Sequence, residues 1–502
     1  MVSSYGINYA VHLVNNHFGG LVSKVCECLL KNGPLAFEEI ERFVGLKAEK
    51  VQISLLVLIQ HNCVQAFNQE LAGDLTDNAA TSKVVTKYFA LFSHIIHRGR
   101  FEKFLEIVKQ DFNPQCYDLM EGLFQHGRLS LEQIRARCGQ LSVSKDADSA
   151  LENLKKLVTS RYVERCPKPE PSVDPPQDEE PPKKKQRGAS KSVEVVTAPE
   201  TLEQRAIEAA TFIDAVRFSI PSDQDTDMNG EKGEDELNFG RGTEQKVVLW
   251  RPNFEEFTLR LKLKACIDTV KEWTDDKSLL VFIAMLESCK SRDGKMNTKR
   301  SAPLSLEMIY ESVLKSAPDQ LITIDLVRDM LLELCSPFEF IIIDEDSYII
   351  DVERIIDVAQ NSAVESIVFR RYGSDAYRMF RFLSKARRLT ETDKISDAAL
   401  VEKKDAAKHL YKMWQDGYLH MERIVAGAQF LLWKVERALL WAHVLDNMFH
   451  SALNLCLRLK HENEQAQEVM SMDNKNKLRK MQLLLYSSLV KVDDIIMLFH
   501  HF

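Results

Sequence analysis

The chain has 502 residues, and its 66 Lys and Arg against 74 Asp and Glu leave a formal net charge of −8. With 45% hydrophobic and 28% charged residues, it can bury several ordinary cores, which excludes a wholly disordered chain or a fibre. The mildly acidic balance excludes a uniformly basic nucleic-acid coat but leaves room for a local basic patch.

The opening MVSSYGINYAVHLVNNHF has no basic stretch ahead of an unbroken apolar core, so it does not read as a secretory signal. No run approaches the roughly 20 apolar residues of a membrane span, and a soluble, intracellular protein with no membrane partner is expected. The ten cysteines are scattered apart from Cys26 and Cys28; without a second close pair they read as reduced, buried thiols and not as metal ligands. No phosphate-binding glycine loop, zinc-protease helix or nucleophile elbow is present, and all 13 histidines lie before Gly127 or after Lys408. No catalytic residue, metal or cofactor is therefore assigned, and the chain reads as a non-enzyme.

In chain order, an amphipathic helix over residues 21–30 leads into PLAFEEI at 34–40, then a second apolar helix and Cys63-Val64. The same succession returns with RLSLEQI at 128–134 after a helix over 115–125 and before Tyr162-Val163. It returns again with PLSLEMI at 303–309, after a helix over 278–289 and before a strand at 338–343. A looser fourth copy has a helix over 377–388, a short-helix start at 389–395, a helix over 403–415 and a strand over 418–425. Helix, short helix, longer helix and strand hairpin is the order of a winged helix. Between the second and third copies, seven of the 15 prolines fall between Pro167 and Pro182, and residues 222–236 carry seven acids and one lysine. Such composition predicts a mostly disordered linker, with residues 200–218 an island of order at best. After Gly427 the pattern becomes heptads: Ala438, Trp441, Leu445, Met448, Ala452, Leu455 and Leu459, then, beyond a polar turn at 472–476, Leu478, Met481, Leu485, Ser488, Val492, Ile495 and Phe499. Two such seams joined by a short turn predict an antiparallel helical hairpin.

The predicted fold is thus mainly α with small β wings, an α+β protein of four tandem winged helices and a C-terminal antiparallel coiled-coil hairpin. Its expected parts are winged helices at 1–85 and 86–166, a linker at 167–246, winged helices at 247–360 and 361–427, and the hairpin at 428–502.

Charge separates the copies. The first has no Lys or Arg between Cys63 and Ser82, and residues 319–333 of the third are acidic, so both read as protein-binding modules. Residues 368–412 of the fourth hold twelve Lys or Arg against six acids. Arg378, Arg381, Lys385 and Arg388 are spaced to share one helix face, as are Lys404, Lys408 and Lys412, which makes these seven the candidate DNA contacts. Lys183, Lys184, Lys185 and Arg187 fit a nuclear import run. In the hairpin, the seam residues Trp441, Leu445, Met448, Leu485 and Val492, with Leu439, Leu440 and Phe449 on outer faces, are expected to dock on a partner. A scaffold built from the same winged helices, with no nucleic-acid role, is the other reading; the basic stripe of the fourth copy separates the two.

The run NNHFGGLVSKVCECLLKNGPLAFEEI with LLVLIQHNCV, together with YRMFRFLSKARRLTETDKI and AAKHLYKMWQDGYLHMERI, resembles the winged-helix subunit of RNA polymerase III, the large, TFIIE-alpha-like member of its initiation heterotrimer. His17-Phe18-Gly19, Gln60-His61-Asn62 and Leu410-Tyr411-Lys412-Met413 carry the likeness most closely. The resemblance implies four extended winged helices and a coiled coil that docks on the clamp of the largest polymerase subunit. It further implies a nuclear, non-catalytic subunit that binds two heterotrimer partners, an initiation factor and promoter DNA, and supports recruitment and opening at tRNA and 5S rRNA genes. The uncharged first wing departs from a DNA-gripping wing.

Overall fold

The computed structural model describes residues 3–71, 83–141, 147–173, 201–220, 247–293, 299–316, 322–337, 339–344, 346–426, 428–468 and 472–502. They form two compact units, one of residues 7–257 and one of 258–502 with 3–6. Lys183, Lys184, Lys185, Arg187 and the acidic run at 222–236 lie outside the described residues.

One motif is built four times among the described residues. In the first copy, the helix Gly20–Asn32 leads to the strand Leu35–Ala36, the helices Phe37–Val44 and Ala48–Gln60, and the wing strands Val64–Leu71 and Lys83–Ala90. The third has Asp276–Asp293, Leu304–Ser305, Leu306–Ser316, Ile324–Cys335, Ile341–Asp344 and Ser347–Ile350; the fourth has Ser374–Ala386, Thr390–Glu391, Thr392–Ala399, Lys403–Gln415, His420–Ala426 and Ala428–Lys434. In each, the short first strand pairs with the last, which pairs with the middle one.

The recurring sequence unit has a physical basis. Its Leu is the buried residue of the short strand (Leu35, Leu129, Leu304), and its Ile is the inward residue of the helix that follows (Ile40, Ile134, Ile309, and Ile395 in the fourth copy). Its acid or amide caps that helix: the backbone N–H of Ala36 donates to Glu39 Oε2 at 2.8 Å and that of Ser130 to Gln133 Oε1 at 2.9 Å. The wing entry is equally uniform. Asn62 (φ 58°), Arg161 (φ 64°), Glu339 (φ 57°) and Gly417 (φ 80°) all take the left-handed conformation. The next N–H then folds back on the helix just ended, from Cys63 to Leu58 O (2.8 Å), Tyr162 to Leu157 O (2.9 Å), Phe340 to Leu334 O (3.1 Å) and Tyr418 to Met413 O (2.8 Å).

The second copy departs from its expected boundaries. Its helices Pro114–His126, Leu131–Leu141 and Ala147–Thr159, short strand Leu129–Ser130 and middle strand Val163–Arg165 lie where the sequence places them. Its last strand is Leu249–Pro252, which the sequence reading assigned to the third copy: Trp250 pairs with both Leu129 and Arg165. Residues 166–248 are therefore an insertion in the second wing. Parts of that insertion are fixed to the first unit's core. Ser172–Val173 runs parallel to Asn68–Gln69, and the helix Leu202–Ala210 buries Ala206 against Phe67, Phe89 and Val173. The helix Asp214–Arg217 brings Arg217 onto the carboxylate of Glu164, which Arg251 also meets at 2.8 Å.

The joint between the first two copies uses residues singled out in the sequence. Phe18 meets His61 in a tilted ring contact at 4.6 Å and lies under the Arg98 guanidinium at 4.5 Å. Gln60 Nε2 donates to the carbonyls of His126 (2.9 Å) and Arg128 (2.6 Å), and Arg128 Nε to Asn62 Oδ1 at 2.9 Å. Gly127 (φ 78°) passes so close that a Cβ there would fall 2.0 Å from Gln60 O.

In the second unit, the strand Ala428–Lys434 returns the fourth wing, so the hairpin begins at Arg437 and not at 428. Its helices are Arg437–Glu468 and Met472–His500; residues 472–476, predicted as a turn, are helical. The foot of the hairpin joins two cores. Leu498 and Phe502 pack on the third copy's core, and Leu440, Val444, Trp441, Met448 and Phe499 join the fourth's. Gln360 Nε2 donates to Leu498 O (2.8 Å), Lys262 Nζ to Phe502 O (3.1 Å) and Arg437 to Asp357 (3.1 Å).

Candidate nucleic-acid interface

The fourth copy builds its surface from inward constraints. On Ser374–Ala386, Ala376, Met379, Phe380 and Leu383 face the core, which leaves Arg378, Arg381 and Lys385 in solvent. The helix stops at Ala386 and Arg387 is left-handed (φ 49°), so Arg388 is exposed on the following turn and does not continue the helix face its spacing suggested. On the third helix, Lys403–Gln415, Ala406, Leu410 and Met413 are buried; Lys404, Lys408, Tyr411 and Lys412 are exposed.

These cations differ in how far they are already satisfied. Arg378 binds Asp375 at 2.7 Å and Lys408 binds Asp405 at 2.9 Å, hydrogen bonds that hold both carboxyls below the usual range. Arg381 lies 4.0 Å from Glu365 and 3.3 Å from the Tyr377 hydroxyl. Lys412 Nζ sits 5.7 Å over the ring of Tyr372, whose hydroxyl donates to Asp416 at 2.6 Å and whose phenol is pushed up by burial. Lys385, Arg387, Arg388 and Lys404 have no ion-pair partner among the described residues. Exposed pairs of the Arg378 and Lys408 kind are worth about 0–1 kcal/mol, so a phosphate can replace the carboxylate at little cost.

Sequence reasoning placed the wing's first strand over 418–425 but missed its return strand and two cations. Arg423, opposite Leu431, and Ile424, opposite Phe430, are exposed on the hairpin His420–Ala426 with Ala428–Lys434, and Arg387 extends the basic turn. The signal was the apolar run AQFLLWK directly after Gly427, a strand–turn–strand pattern overshadowed by the heptads that follow.

The other copies present different faces. The third helix of the first exposes Gln52, Ile53 and Leu56; that of the second exposes Lys155 and Lys156 beside Glu152; that of the third exposes Asp325, Asp329 and Glu333. Among the hairpin's expected docking residues, Trp441 and Met448 pack on the fourth core, Leu485 is buried, and Leu445 and Val492 are half-buried. Leu440 and Phe449 are buried as well, Phe449 against His500, so the outer-face expectation for those two is corrected; Leu439 is exposed. The other exposed apolar side chains among the described residues of the hairpin lie along its middle: Leu457, Met481, Leu483, Leu484 and Tyr486.

Four winged helices in series, closed by a helical hairpin, define a tandem winged-helix protein. Residues 8–69 match the RNA polymerase III subunit RPC82 helix-turn-helix domain, residues 152–359 the RNA polymerase III subunit RPC82 family, and residues 364–432 the POLR3C C-terminal winged-helix domain. The chain belongs to this RPC82/RPC3 family of RNA polymerase III subunits, which are not themselves the catalytic subunit. It is 22% identical over 489 residues to DNA-directed RNA polymerase III subunit RPC3 of Homo sapiens, covering 91% of this chain and 84% of the relative. It is 23% identical over 482 residues to that of Danio rerio, with the same coverage. With the Dictyostelium discoideum subunit it shares 20% identity over 623 residues, covering 92% of each.

Proposed function

We propose that the chain works in the nucleus within RNA polymerase III, as part of a heterotrimeric subcomplex with two further subunits that supports promoter recruitment, DNA opening and initiation at tRNA and 5S rRNA genes. The fourth winged helix holds promoter DNA through phosphates, and the hairpin docks on the clamp of the largest subunit; an initiation factor is a further partner. Import is assigned to Lys183, Lys184, Lys185 and Arg187. The observation that carries the DNA reading is the concentration of unneutralised cations, Lys385, Arg387, Arg388 and Lys404, around one helix–turn–helix of an acidic protein.

Phosphate contacts release counterions, so retention on DNA should tolerate sequence change and fall steeply with salt. Replacing Lys385, Arg388, Lys404 and Lys408 with Ala in the assembled polymerase should weaken retention and reduce the log–log salt slope by about 3–4. An unchanged slope, with assembly intact, returns this surface to a solvated face and favours the scaffold reading.

A further inference from the structure

The third winged helix carries the inverse of the fourth's charge. Residues 304–356 hold twelve Asp or Glu and three Lys or Arg. The helix Ile324–Cys335 takes the place that a reading helix occupies, and its inward residues are Val327, Met330, Leu331 and Leu334. Two ridges are left in solvent. Ile324, Arg328 and Leu332 step by four along one, and Asp325, Asp329 and Glu333 along the next; Ile324 is 37% and Leu332 49% exposed. The wing strand Ile341–Asp344, which packs beside this helix, adds exposed Ile343 and Asp344, and Asp346 follows. Arg328 is the cation among these side chains, and it lies 3.6 Å from Asp325.

A ridge that exposes Ile324 and Leu332 on either side of Arg328, flanked by a row of carboxylates, repels nucleic acid and anionic membranes, and it complements a helix that sets apolar residues beside Lys or Arg at the same four-residue step. We propose that this face is a docking site for a basic amphipathic helix of a protein partner. Ile324 and Leu332 supply desolvated contact and the carboxylates supply register and a fast approach. The proposal rests on no part of the DNA reading, since the two surfaces belong to different copies.

The test uses the full chain and a synthetic helical peptide of about five turns, with Leu every fourth residue and Lys beside each, followed by fluorescence anisotropy. Asp325→Asn with Asp329→Asn and Asp344→Asn should weaken binding about tenfold or more, and Ile324→Ser with Leu332→Ser should do the same while leaving the salt dependence in place. Glu333 is kept, because it accepts from Ser278 Oγ at 2.9 Å. A control that removes equal charge elsewhere, Glu102→Gln, Glu106→Gln and Asp118→Asn, should leave affinity unchanged. The proposal is overturned if the control weakens binding as much, if either face variant binds normally, or if a scrambled peptide of the same composition binds equally well. A dimer in sedimentation that the face variants dissolve would assign the surface to a second copy of the chain, and would overturn it too.

Discussion

Glu164 is a buried carboxylate bracketed by two guanidinium groups, Arg217 and Arg251, each largely out of solvent. Removing the anion leaves Arg251 without that partner and Arg217 with only the exposed carboxylate of Glu255, so Glu164→Gln should cost about 3–5 kcal/mol, read as a lower denaturant midpoint. A second residue-scale expectation concerns acid. Burial, aided by Arg251, holds the His94 imidazole at about 3, and burial with Arg98 holds His61 at about 4, against an ordinary 6.5. Both rings are neutral in the folded state, so below 6.5 the unfolded chain takes up protons that the folded one refuses. The stability they confer is complete above that value and drains away as pH falls towards 3–4. Amide exchange in residues 58–64 and 92–98 should therefore accelerate as pH drops from about 7 to about 5, after correction for intrinsic rates, and His94→Asn should flatten that trend. Gly127→Ala should open the first joint, since no rearrangement of one side chain relieves a 2.0 Å approach to the Gln60 carbonyl; loss of Phe18–His61 contacts in NMR would report it.

At the scale of elements, the hairpin shows what a pattern can and cannot convey. Its helices were legible because a 3–4 step of apolar residues has one geometric meaning. Which side of each helix meets another domain was not, because Leu440 and Phe449 look alike in a sequence whether they face solvent or a neighbouring core. The short strands were legible only through the repeated Leu, and the fourth wing's return strand was hidden by the heptads after it. The candidate DNA site was half legible: spacing found the cations on both helices but could not show that the first helix ends at Ala386, or that Arg378 and Lys408 are already paired. Because the hairpin foot completes two cores, truncating it would damage both. The informative change is on the exposed middle of the hairpin. Leu483→Ser with Leu484→Ser and Tyr486→Ser should preserve the thermal midpoint of the chain yet release it from the polymerase on affinity purification; full retention would refute docking through this face.

For the molecule as a whole, the unexpected element is Leu249–Pro252, which closes the second wing from beyond residues that resembled a divider between domains. Composition marked residues 167–246 as a linker, and no local pattern announces that a linker begins and ends in one sheet. A chain cut between 174 and 200 should accordingly keep its two pieces together on size exclusion at moderate salt, through the Trp250 pairing and the Glu164 cluster, whereas a chain stopped at 246 should lose the protection of Val163 and its neighbours in exchange. Entry and exit on adjacent strands also set how this stretch can change over time. The entropy of closing a loop rises only as the logarithm of its length, about 0.6 kcal/mol per doubling, while the geometry at its roots stays the same. A stretch of that kind can lengthen, shorten or exchange its signals between lineages without disturbing the sheet that carries it, which leaves the second wing free to diverge in size while its winged-helix frame is kept.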